Sequence, residues 1–345
     1  MNPTISQETA MLPKERMLAA LRRETPDKIP TFEWFIDTKV SQEMCGTDDP
    51  IEAVERLDID GVNIRADYAK NWVDSETFVD EWEIVRKLTG DMIPASLEHP
   101  IKDITKQAEY VFPNPHSPER FKTLERALEY YGDRRAIILN LRDGFSDMRD
   151  LLGYQEALMA LVAEKQHFSD LLKRVVEYNL TLAEIAVKRY NIQIVATTDD
   201  VCSARGPLLS PKSYKETIFP EFRAVVQGFR SLGLFVVKHC DGNIRAFLDL
   251  WVEAGINCLD PIDPGGNLDI REMKEQYGHL ICLKGNIDCT GHLVSGTSEQ
   301  VAEEVRQCIE KGGKNGLILS SSNTIHRGVK PENYRAMLDA LRKFG

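Results

Sequence analysis

Short apolar runs recur along this chain, and stretches with the spacing of amphipathic helices separate them. Six of these runs cover residues 136–141, 192–198, 234–239, 257–261, 280–285 and 316–321. Helical spacing is clearest over residues 170–190 and 298–313. Nearly continuous apolar strands that alternate with helices are typical of a parallel sheet that is buried on both faces.

Two earlier segments, 28–34 and 60–68, also have strand character and end in polar residues. They bring the number of candidate strands to eight, which in a chain of 345 residues favours a (β/α)8 TIM barrel. The pattern predicts a single α/β barrel domain over 1–345, with an N-terminal helical extension at 1–28. Residues 72–118 are richer in aromatic residues and proline, so we expect an inserted segment with a hairpin over one end of the barrel. No GxGxxG motif follows the first strand, which disfavours a dinucleotide-binding fold.

Polar side chains follow almost every predicted strand, and in a (β/α)8 barrel the active site lies at the carboxyl ends of the strands. These ends offer Asp67, Asn140, Arg142, Asp143, Asp199, Asp200, His239, Asp241, Asp260, Asn286, Asp288, Ser321, Ser322 and Asn323. So many carboxylates on one rim indicate a site for a substrate, a metal or acid–base chemistry. Arg142 and Asp143 are expected to form a structural ion pair, and Asp67 is evenly balanced between a functional and a structural role.

The stretch FVVKHCDGN at 235–243 places His239, Cys240 and Asp241 at one strand end. Because side chains alternate along a strand, His239 and Asp241 share a face and Cys240 points the other way. We therefore expect His239 and Asp241 to contact a metal or a substrate, and Cys240 to pack as a small hydrophobic residue. The alternative is a hydrogen-bonded His–Asp pair that only stiffens the strand end.

The remaining candidates also have structural alternatives. One of Asp199 and Asp200 must face the barrel interior, where a substrate or acid–base role is expected, and helix capping is the alternative. Tight turns are the alternative for Asn286 and Asn323. Core packing is the alternative for Trp34, because lone tryptophans are usually buried.

Charge and cysteine content narrow the function classes. The formal net charge of -11 argues against nucleic acid as a partner, because phosphate binding needs concentrated lysine and arginine. No apolar run is long enough to cross a membrane, and the first 17 residues lack the apolar core of a signal peptide. A cytoplasmic protein is therefore expected. The seven cysteines are scattered and include no CxxC pair, which indicates reduced thiols.

Five stretches of the chain together form a pattern typical of one superfamily: RMLAALRRETPDKIP, TTDDVCSARGPLLSPKSY, KHCDGNIRAFLDLWVEAGINCLDPIDP, LKGNIDCTGHLVSGTSEQVAEEVR and GLILSSSNTIHRGVKPENYRAML. Through them the sequence resembles the uroporphyrinogen decarboxylase superfamily over nearly its whole length. The resemblance implies a (β/α)8 barrel with its site at the carboxyl ends of the strands. The superfamily contains porphyrinogen decarboxylases and corrinoid-dependent methyltransferases, so the reaction is left open.

Two departures from the family pattern favour the methyltransferase branch. The decarboxylases carry an arginine-rich motif after the first strand, whereas this chain has TFEWFIDTK at 31–39, without arginine. The thiol-directed methyltransferases bind zinc through a His-x-Cys motif and a later cysteine. The matching positions here are His239, Asp241 and Asn323, so the resemblance implies an oxygen-rich metal site for which Zn²⁺ is one candidate.

We therefore expect a demethylase-type methyltransferase that moves a methyl group from a methylated small molecule, an O-methyl aromatic ether in our interpretation, to the Co(I) of cobalamin. The chain has no DxHxxG motif for cobalt ligation, so the cobalamin is expected on a separate corrinoid protein. The departing oxygen would be assisted by Zn²⁺ as a Lewis acid or by a protonated carboxylate. Transfer from methylcobalamin to tetrahydrofolate or a thiol, decarboxylation of an acid, and a non-enzymatic binding role are the alternatives.

These arguments define the expected site and partners. The expected catalytic residues are His239, Asp241, Asp199 and Asp200; the expected substrate-binding residues are Asp67, Trp34, Asn140, Asn286 and Asn323; the expected metal ligands are His239, Asp241 and Asn323. The expected partners are the methyl donor and the corrinoid protein, with neither nucleic acid nor membrane. A homodimer is one candidate assembly.

Overall fold

The fold is built around a curled sheet of seven parallel strands. A computed structural model describes residues 10–345. Numbered in chain order and given in spatial order, the strands are β1 (Gly61–Arg65), β6 (Ala136–Arg142), β7 (Ile194–Thr198), β10 (Phe235–His239), β11 (Cys258–Ile262), β12 (Cys282–Ile287) and β13 (Leu317–Ser321). All neighbouring pairs are parallel. The predicted TIM-barrel fold is confirmed by this sheet. Its strands are runs of buried apolar residues, which need cover on both faces of the sheet.

An extended segment at 30–36 fills the place between β1 and β13. On one side, the Pro30 carbonyl accepts a hydrogen bond from the Leu319 N–H at 3.0 Å. On the other side, the Thr31 carbonyl accepts one from the Asp60 N–H at 2.9 Å. The segment therefore closes the sheet into a barrel with few backbone hydrogen bonds.

The prediction of a regular eighth strand at this place is wrong. Pro30 has no N–H to donate, and the Thr31 N–H is taken by the Asp60 carboxylate at 2.9 Å. Only an isolated parallel bridge between Ile36 and Ile325 remains of the strand pairing. Proline and a side-chain acceptor thus replace the ladder that an ordinary strand would form.

Helices pack around the outside of the sheet and supply the second layer. They are α1 (Pro13–Leu21), α2 (Thr38–Cys45), α3 (Pro50–Arg56), α4 (Lys122–Tyr131), α5 (Phe145–Leu152), α6 (Tyr154–Ala163), α7 (Lys165–Tyr190), α8 (Pro211–Ser213), α9 (Phe219–Ser231), α10 (Arg245–Ala254), α11 (Ile270–Tyr277), α12 (His292–Ser295), α13 (Ser298–Gly312) and α14 (Pro331–Phe344). Helix α1 lies within the extension predicted at 1–28, of which residues 1–9 fall outside the described part. None of the helices in the described part is long and apolar enough to cross a bilayer.

Local sequence signals explain several helix boundaries. Thr297 and Gln300 form a capping box at the start of α13, in which each side chain accepts a hydrogen bond from the backbone N–H of the other. Proline occupies the first position of α1, α3 and α14, where its missing N–H costs nothing. The helices that cover the barrel therefore begin at positions that the sequence marks.

The inserted segment folds as a four-stranded antiparallel sheet at the carboxyl end of the barrel. Its strands are β2 (Lys70–Trp72), β3 (Thr77–Asp80), β4 (Val85–Lys87) and β5 (Ala95–Glu98), followed by 3-10 helices at Ile104–Glu109 and Pro118–Phe121. The predicted hairpin is present as β3 and β4. Arg86 ties the sheet to α5 through its ion pair with Asp150 at 2.9 Å. A second, two-stranded unit, β8 (Cys202–Ser203) and β9 (Gly206–Pro207), follows β7.

Glu33 joins the closing segment to the last strand. Its carboxylate accepts hydrogen bonds from the Ser321 N–H at 3.2 Å and from the Ser321 hydroxyl at 2.5 Å. Burial raises the pKa of Glu33 to about 7, although the charge of Lys284 and the bonds from Ser321 act in the opposite direction. A buried carboxyl group with a raised pKa, at the place where the barrel closes, should make the stability of the fold depend on pH.

Glu33→Gln should make the free energy of unfolding less dependent on pH. Unfolded glutamate has a pKa near 4.5, so between pH 4.5 and about 7 the folded wild type keeps a proton that the unfolded chain releases. The wild type should therefore lose up to ~3 kcal/mol of stability as the pH rises through this interval, and Glu33→Gln should lose less. Urea denaturation across this pH range measures the difference. Glu129→Gln, which changes an exposed glutamate of α4, should keep the wild-type slope, and equal slopes in all three proteins would contradict the assignment.

Candidate functional site

Four side chains at the carboxyl ends of neighbouring strands form one row. Arg142 on β6 is in register with Thr198 on β7, Thr198 with His239 on β10, and His239 with Asp260 on β11. Residues in register on neighbouring strands present their side chains on the same face of the sheet. The row therefore runs around the barrel mouth, with a spacing of about 4.8 Å from strand to strand.

His239 is buried in this row and is held by a line of charged groups. Its Nδ1 lies 3.0 Å from Asp260 Oδ2, and Asp260 Oδ1 accepts a hydrogen bond from Lys284 Nζ at 2.7 Å. On its flat side, the imidazole stacks on the Trp34 ring, with the centroids 4.1 Å apart and an interplanar angle of 17°. A carboxylate at Nδ1 fixes the orientation of a histidine ring and leaves Nε2 free for a ligand.

The charges around His239 determine its protonation. Burial disfavours the imidazolium, but the carboxylates of Asp241 and Asp260 outweigh burial and raise the pKa of His239 to about 10. Burial acts to raise the pKa of Asp260, yet Lys284 and His239 hold that pKa below the ordinary value of an aspartate. The mouth therefore favours positive charge at Nε2, and a proton and a metal cation would compete for this position.

Asp200 and Asp241 join His239 in one cluster. One ligand atom from each of the three residues lies within 4.8 Å of the other two. The Oδ1 atoms of Asp200 and Asp241 are both buried and accept no hydrogen bond from the described residues. Buried oxygens without partners are costly, so their presence side by side suits a cation. One imidazole and two carboxylates can supply the three protein ligands of a catalytic zinc site with an open position.

Asn323 contacts this cluster through Asp241. Its Nδ2 donates a hydrogen bond to Asp241 Oδ2 at 2.5 Å, while Asp241 Oδ1 lies 3.5 Å from His239 Nε2. The structure thus brings together the three predicted metal ligands and adds Asp200. In this arrangement Asn323 orients a carboxylate, and direct ligation by its amide stays a prediction.

Asp199 was expected to be catalytic, but its carboxylate is hydrogen-bonded to the start of helix α5. Its carboxylate oxygens accept hydrogen bonds from the Phe145 N–H at 2.6 Å and from the Ser146 N–H at 2.5 Å. Alternation sends Asp200 to the barrel interior and Asp199 to the outer layer. The structure therefore gives Asp199 the capping role that was its alternative, and the interior carboxylate of the pair is Asp200.

A second buried charge cluster lies in this outer layer. Lys238 Nζ is 2.6 Å from Asp143 Oδ2, and both side chains are fully buried. Burial and the neighbouring Asp143 carboxylate raise the pKa of Asp199 well above its ordinary value. Arg142 pairs with two carboxylates of α5 at 2.8 and 3.2 Å, so the expected ion pair between Arg142 and Asp143 is wrong.

Cys240 lies on the opposite side of β10 from its two neighbours. Its thiol is fully buried, and it contacts Cys202, whereas His239 and Asp241 approach each other to 3.5 Å. Burial and Cys202 raise the pKa of the Cys240 thiol well above its ordinary value. The predicted alternation is confirmed, and a buried protonated thiol is a poor metal ligand.

Two predicted substrate-binding residues lie outside this cluster. The Asp67 carboxylate accepts hydrogen bonds from the N–H and the hydroxyl of Thr123 at 2.8 and 2.6 Å, so it caps helix α4. Asn286 lines a groove together with residues of α11 and α13, such as Glu272 and Glu304. Asp67 therefore has a structural role, and the groove around Asn286 does not include His239.

Asn140 lines a cavity of about 160 Å³ beneath the inserted sheet. Apolar and aromatic side chains form much of its wall, among them Tyr68, Trp82, Ile84, Ile93, Leu151 and Tyr178. Arg65, Arg86, Arg120 and Arg142 also line it. The cavity does not include Asp200, His239 or Asp241, but it meets the His239 row at Arg142.

The sequence analysis missed Lys284 and Arg65. Lys284 is the one charged residue in the apolar run at 280–285, and a lysine inside a buried strand needs an acidic partner. That signal pointed to Asp260, which was placed on the rim but was not assigned to the site. Arg65 had no such signal, because its lack of an acidic partner shows only once the other arginines of the cavity have paired with their carboxylates.

Comparison with known proteins gives this geometry a family context. A family model described as uroporphyrinogen decarboxylase (URO-D) matches residues 51–344. The chain is 25% identical over 173 residues to a uroporphyrinogen decarboxylase of Psychromonas ingrahamii, covering 47% of this chain and 46% of the relative. It is 23% identical over 141 residues to a methylated-thiol–coenzyme M methyltransferase of Methanosarcina mazei, covering 41% and 36%. The matched regions thus span less than half of the length of these curated relatives.

Among solved structures, a methyltransferase from Methanosarcina mazei is similar over almost the entire chain. The TM-score is 0.76, and the match covers 97% of this chain and 99% of the other at 18% identity. At this level of identity, the likeness shows the fold.

Asp200→Asn and Asp241→Asn should each weaken Zn²⁺ binding by at least about tenfold, because each removes a carboxylate from the cluster. Competition with a chromogenic chelator measures the affinity, and elemental analysis of the purified proteins measures the metal content. Asp199→Asn is the matched control, since it makes the same change one residue away. It should keep the zinc affinity and lower the melting temperature, and equal affinity in all four proteins would exclude a site at this cluster.

Proposed function

Because the chain belongs to the uroporphyrinogen decarboxylase family, whose model matches residues 51–344, we propose that it is a cobalamin-dependent methyltransferase. The methyl group would leave a methylated small molecule and reach the Co(I) of cobalamin on a separate corrinoid protein. The observation that carries this proposal is the cluster of Asp200, His239 and Asp241 at the barrel mouth. It occupies the strand ends at which the family resemblance implies a metal site.

Two comparisons support the methyltransferase branch. One curated relative is named a methylated-thiol–coenzyme M methyltransferase, and the solved structure that shares the fold over 97% of this chain is named a methyltransferase. In this chain oxygen groups, those of Asp241 and Asn323, stand at the two positions where the thiol-directed methyltransferases carry thiolates. That difference supports a reaction in which an oxygen atom, and not a thiol, is bound at the cluster.

The residues present fit a divalent metal, and Asp200, His239 and Asp241 would hold it. When bound, Zn²⁺ would supply Lewis-acid assistance to the oxygen that the methyl group leaves. Asp260 keeps His239 Nε2 directed at the mouth, and Asn323 holds the Asp241 carboxylate. These contacts preorganise the donor atoms before a substrate arrives, which lowers the cost of reorganisation in the reaction.

We propose an O-methyl aromatic ether as the methyl donor. The cavity of about 160 Å³ beside the row has aromatic and apolar walls. An engineered cavity of about 150 Å³ in another protein binds benzene, so this cavity has room for one aromatic ring. A tetrapyrrole is several times larger than one such ring.

Decarboxylation remains a second candidate, because the family model and several relatives bear that name. The segment at 31–39 argues against a porphyrinogen substrate, because it has no arginine to bind the carboxylates of such a molecule. Its acidic side chains are both engaged, Glu33 with Ser321 and Asp37 with the backbone N–H of Lys39. Release of carbon dioxide from a candidate acid without formation of methylcobalamin would favour this alternative.

Incubation with a methoxy-substituted aromatic compound and a reduced corrinoid protein should form methylcobalamin, which the visible absorbance of the corrinoid reports. The reverse reaction, from methylcobalamin to tetrahydrofolate or a thiol, is tested in parallel by consumption of methylcobalamin. If no methyl ether yields methylcobalamin under strictly reducing conditions, the proposed direction of transfer is wrong.

His239→Ala and Cys240→Ala should have opposite effects, although the two residues are adjacent. Loss of His239 removes a ligand at the mouth, so turnover should fall by at least about a thousandfold. The protein should still fold, because Asp260 keeps Lys284 as a partner, but with a lower melting temperature. Loss of the Cys240 thiol should keep turnover near normal and cost roughly 1 kcal/mol of stability. Turnover and thermal melting of both variants provide the test. A folded but inactive Cys240→Ala enzyme would show that the thiol takes part in the chemistry.

A further inference from the structure

One guanidinium group without an acidic partner borders the cavity beneath the inserted sheet, that of Arg65, whose side chain is exposed. Arg65 packs over the Phe35 ring, with its guanidinium carbon 4.4 Å from the ring centroid. Among residues 10–345, no carboxylate forms an ion pair with Arg65. The three other arginines of the cavity are all paired: Arg86 with Asp80 and Asp150, Arg120 with Glu81, and Arg142 with Asp147 and Asp150.

Asn140 is a second donor that lacks a partner in the same cavity. It is 5% exposed, and its Nδ2 is buried without a hydrogen bond to any described residue. Asn140 on β6 is in register with Arg65 on β1, so both side chains lie on the same face of the sheet. A buried amide N–H₂ without an acceptor costs free energy unless a ligand supplies the acceptor.

The charges and the size of the cavity limit what this acceptor is. Four guanidinium groups and three carboxylates line the cavity, and together with Glu81 these carboxylates pair with the other three arginines. Arg65 is therefore the cationic group of the cavity that is left to receive an anion. The volume of about 160 Å³ and the aromatic walls suit one ring. A small anion attached to a ring matches both conditions.

We propose that Arg65 and Asn140 form a subsite for the carboxylate of a small, ring-bearing acid. The planar guanidinium offers two parallel N–H groups to the two carboxylate oxygens, and Asn140 Nδ2 offers a third donor. The aromatic ring of the acid packs against the apolar wall near Trp82. Carboxylate recognition and ring burial together define the ligand class as an aryl carboxylate.

The position of the subsite connects it to the candidate metal cluster. Asn140 lies two residues before Arg142, and Arg142 is two strands from His239 in register. A strand rise of about 3.3 Å per residue and a strand spacing of about 4.8 Å place the backbones of Asn140 and His239 about 12 Å apart. Both side chains lie on the same face of the sheet, so an acid with one ring that lies along this face is long enough to reach from one to the other. As a refinement that rests on the proposed function, the methyl donor is then a methoxy-substituted aryl carboxylate.

Isothermal titration calorimetry with benzoate and its neutral analogue benzamide tests the subsite without any methyl transfer. Wild-type protein should bind benzoate at least about tenfold more tightly than benzamide, a difference of about 1.4 kcal/mol. Arg65→Gln should weaken benzoate binding at least tenfold and leave benzamide binding unchanged. Arg65→Lys should give an intermediate benzoate affinity, because lysine keeps the charge and loses the planar fork.

Arg223→Gln is the matched control, since it removes an equal charge from the exposed surface of α9, and it should bind both compounds as the wild type does. Absence of saturable benzoate binding, equal affinity for benzoate and benzamide, or an unchanged benzoate affinity in Arg65→Gln would each overturn the proposal. The proposed function fails separately. If no methyl ether gives methylcobalamin while benzoate still binds through Arg65, the subsite stands and methyl transfer falls. If anisole and methoxybenzoates react equally well and Arg65→Gln binds benzoate normally, methyl transfer stands and the subsite falls.

Discussion

Asp260 has no exposed surface and lies between two cationic groups, Lys284 Nζ at 2.7 Å and His239 Nδ1 at 3.0 Å. A buried carboxylate is tolerated only when its charge is paired, and removal of one partner leaves the other charge uncompensated. This constraint fixes the imidazole in one orientation. The direction of His239 Nε2, and with it the geometry of the cluster with Asp200 and Asp241, depends on that buried line of charges.

The same constraint operates on the other side of the barrel wall. Lys238, the residue before His239, is paired with Asp143 in the outer layer, and Asp199 caps helix α5 beside it. Neighbouring residues on β7 and β10 thus serve two separate buried clusters, one inside the barrel and one behind it. Strand alternation divides the polar residues between a reactive mouth and a structural support for the helices.

Local periodicity explains which parts of this protein could be predicted from its sequence. The strands and the opposite directions of His239 and Cys240 follow from patterns within a few residues, so both predictions are confirmed by the structure. The choice between Asp199 and Asp200 was not determined, because it depends on the register of β7 against β10. The prediction of a strand at 28–34 is wrong because the Asp60 carboxylate, 29 residues further along the chain, accepts a hydrogen bond from the Thr31 N–H.

The subsite at Arg65 illustrates the limit of local patterns more clearly. Its character depends on which arginines have acidic partners, and some of those pairs join segments that are distant in sequence, such as Arg86 with Asp150. No spacing rule identifies the one arginine that stays without a carboxylate. Only the folded arrangement of the inserted sheet and α5 distinguishes Arg65 from the three paired arginines.

The closing segment of the barrel also determines the order in which the protein can be completed during synthesis. Glu33 and Ser321, which hydrogen-bond to each other, are 288 positions apart, and Trp34 follows Glu33 directly and covers the His239 ring. A ribosome releases the early segment long before β13 exists to receive it. Glu33 therefore lacks its partner until Ser321 has emerged, whereas the His239 ring that Trp34 covers is synthesised earlier. Barrel closure is therefore a late step of synthesis, because the contact between Glu33 and Ser321 cannot form before residue 321 has emerged.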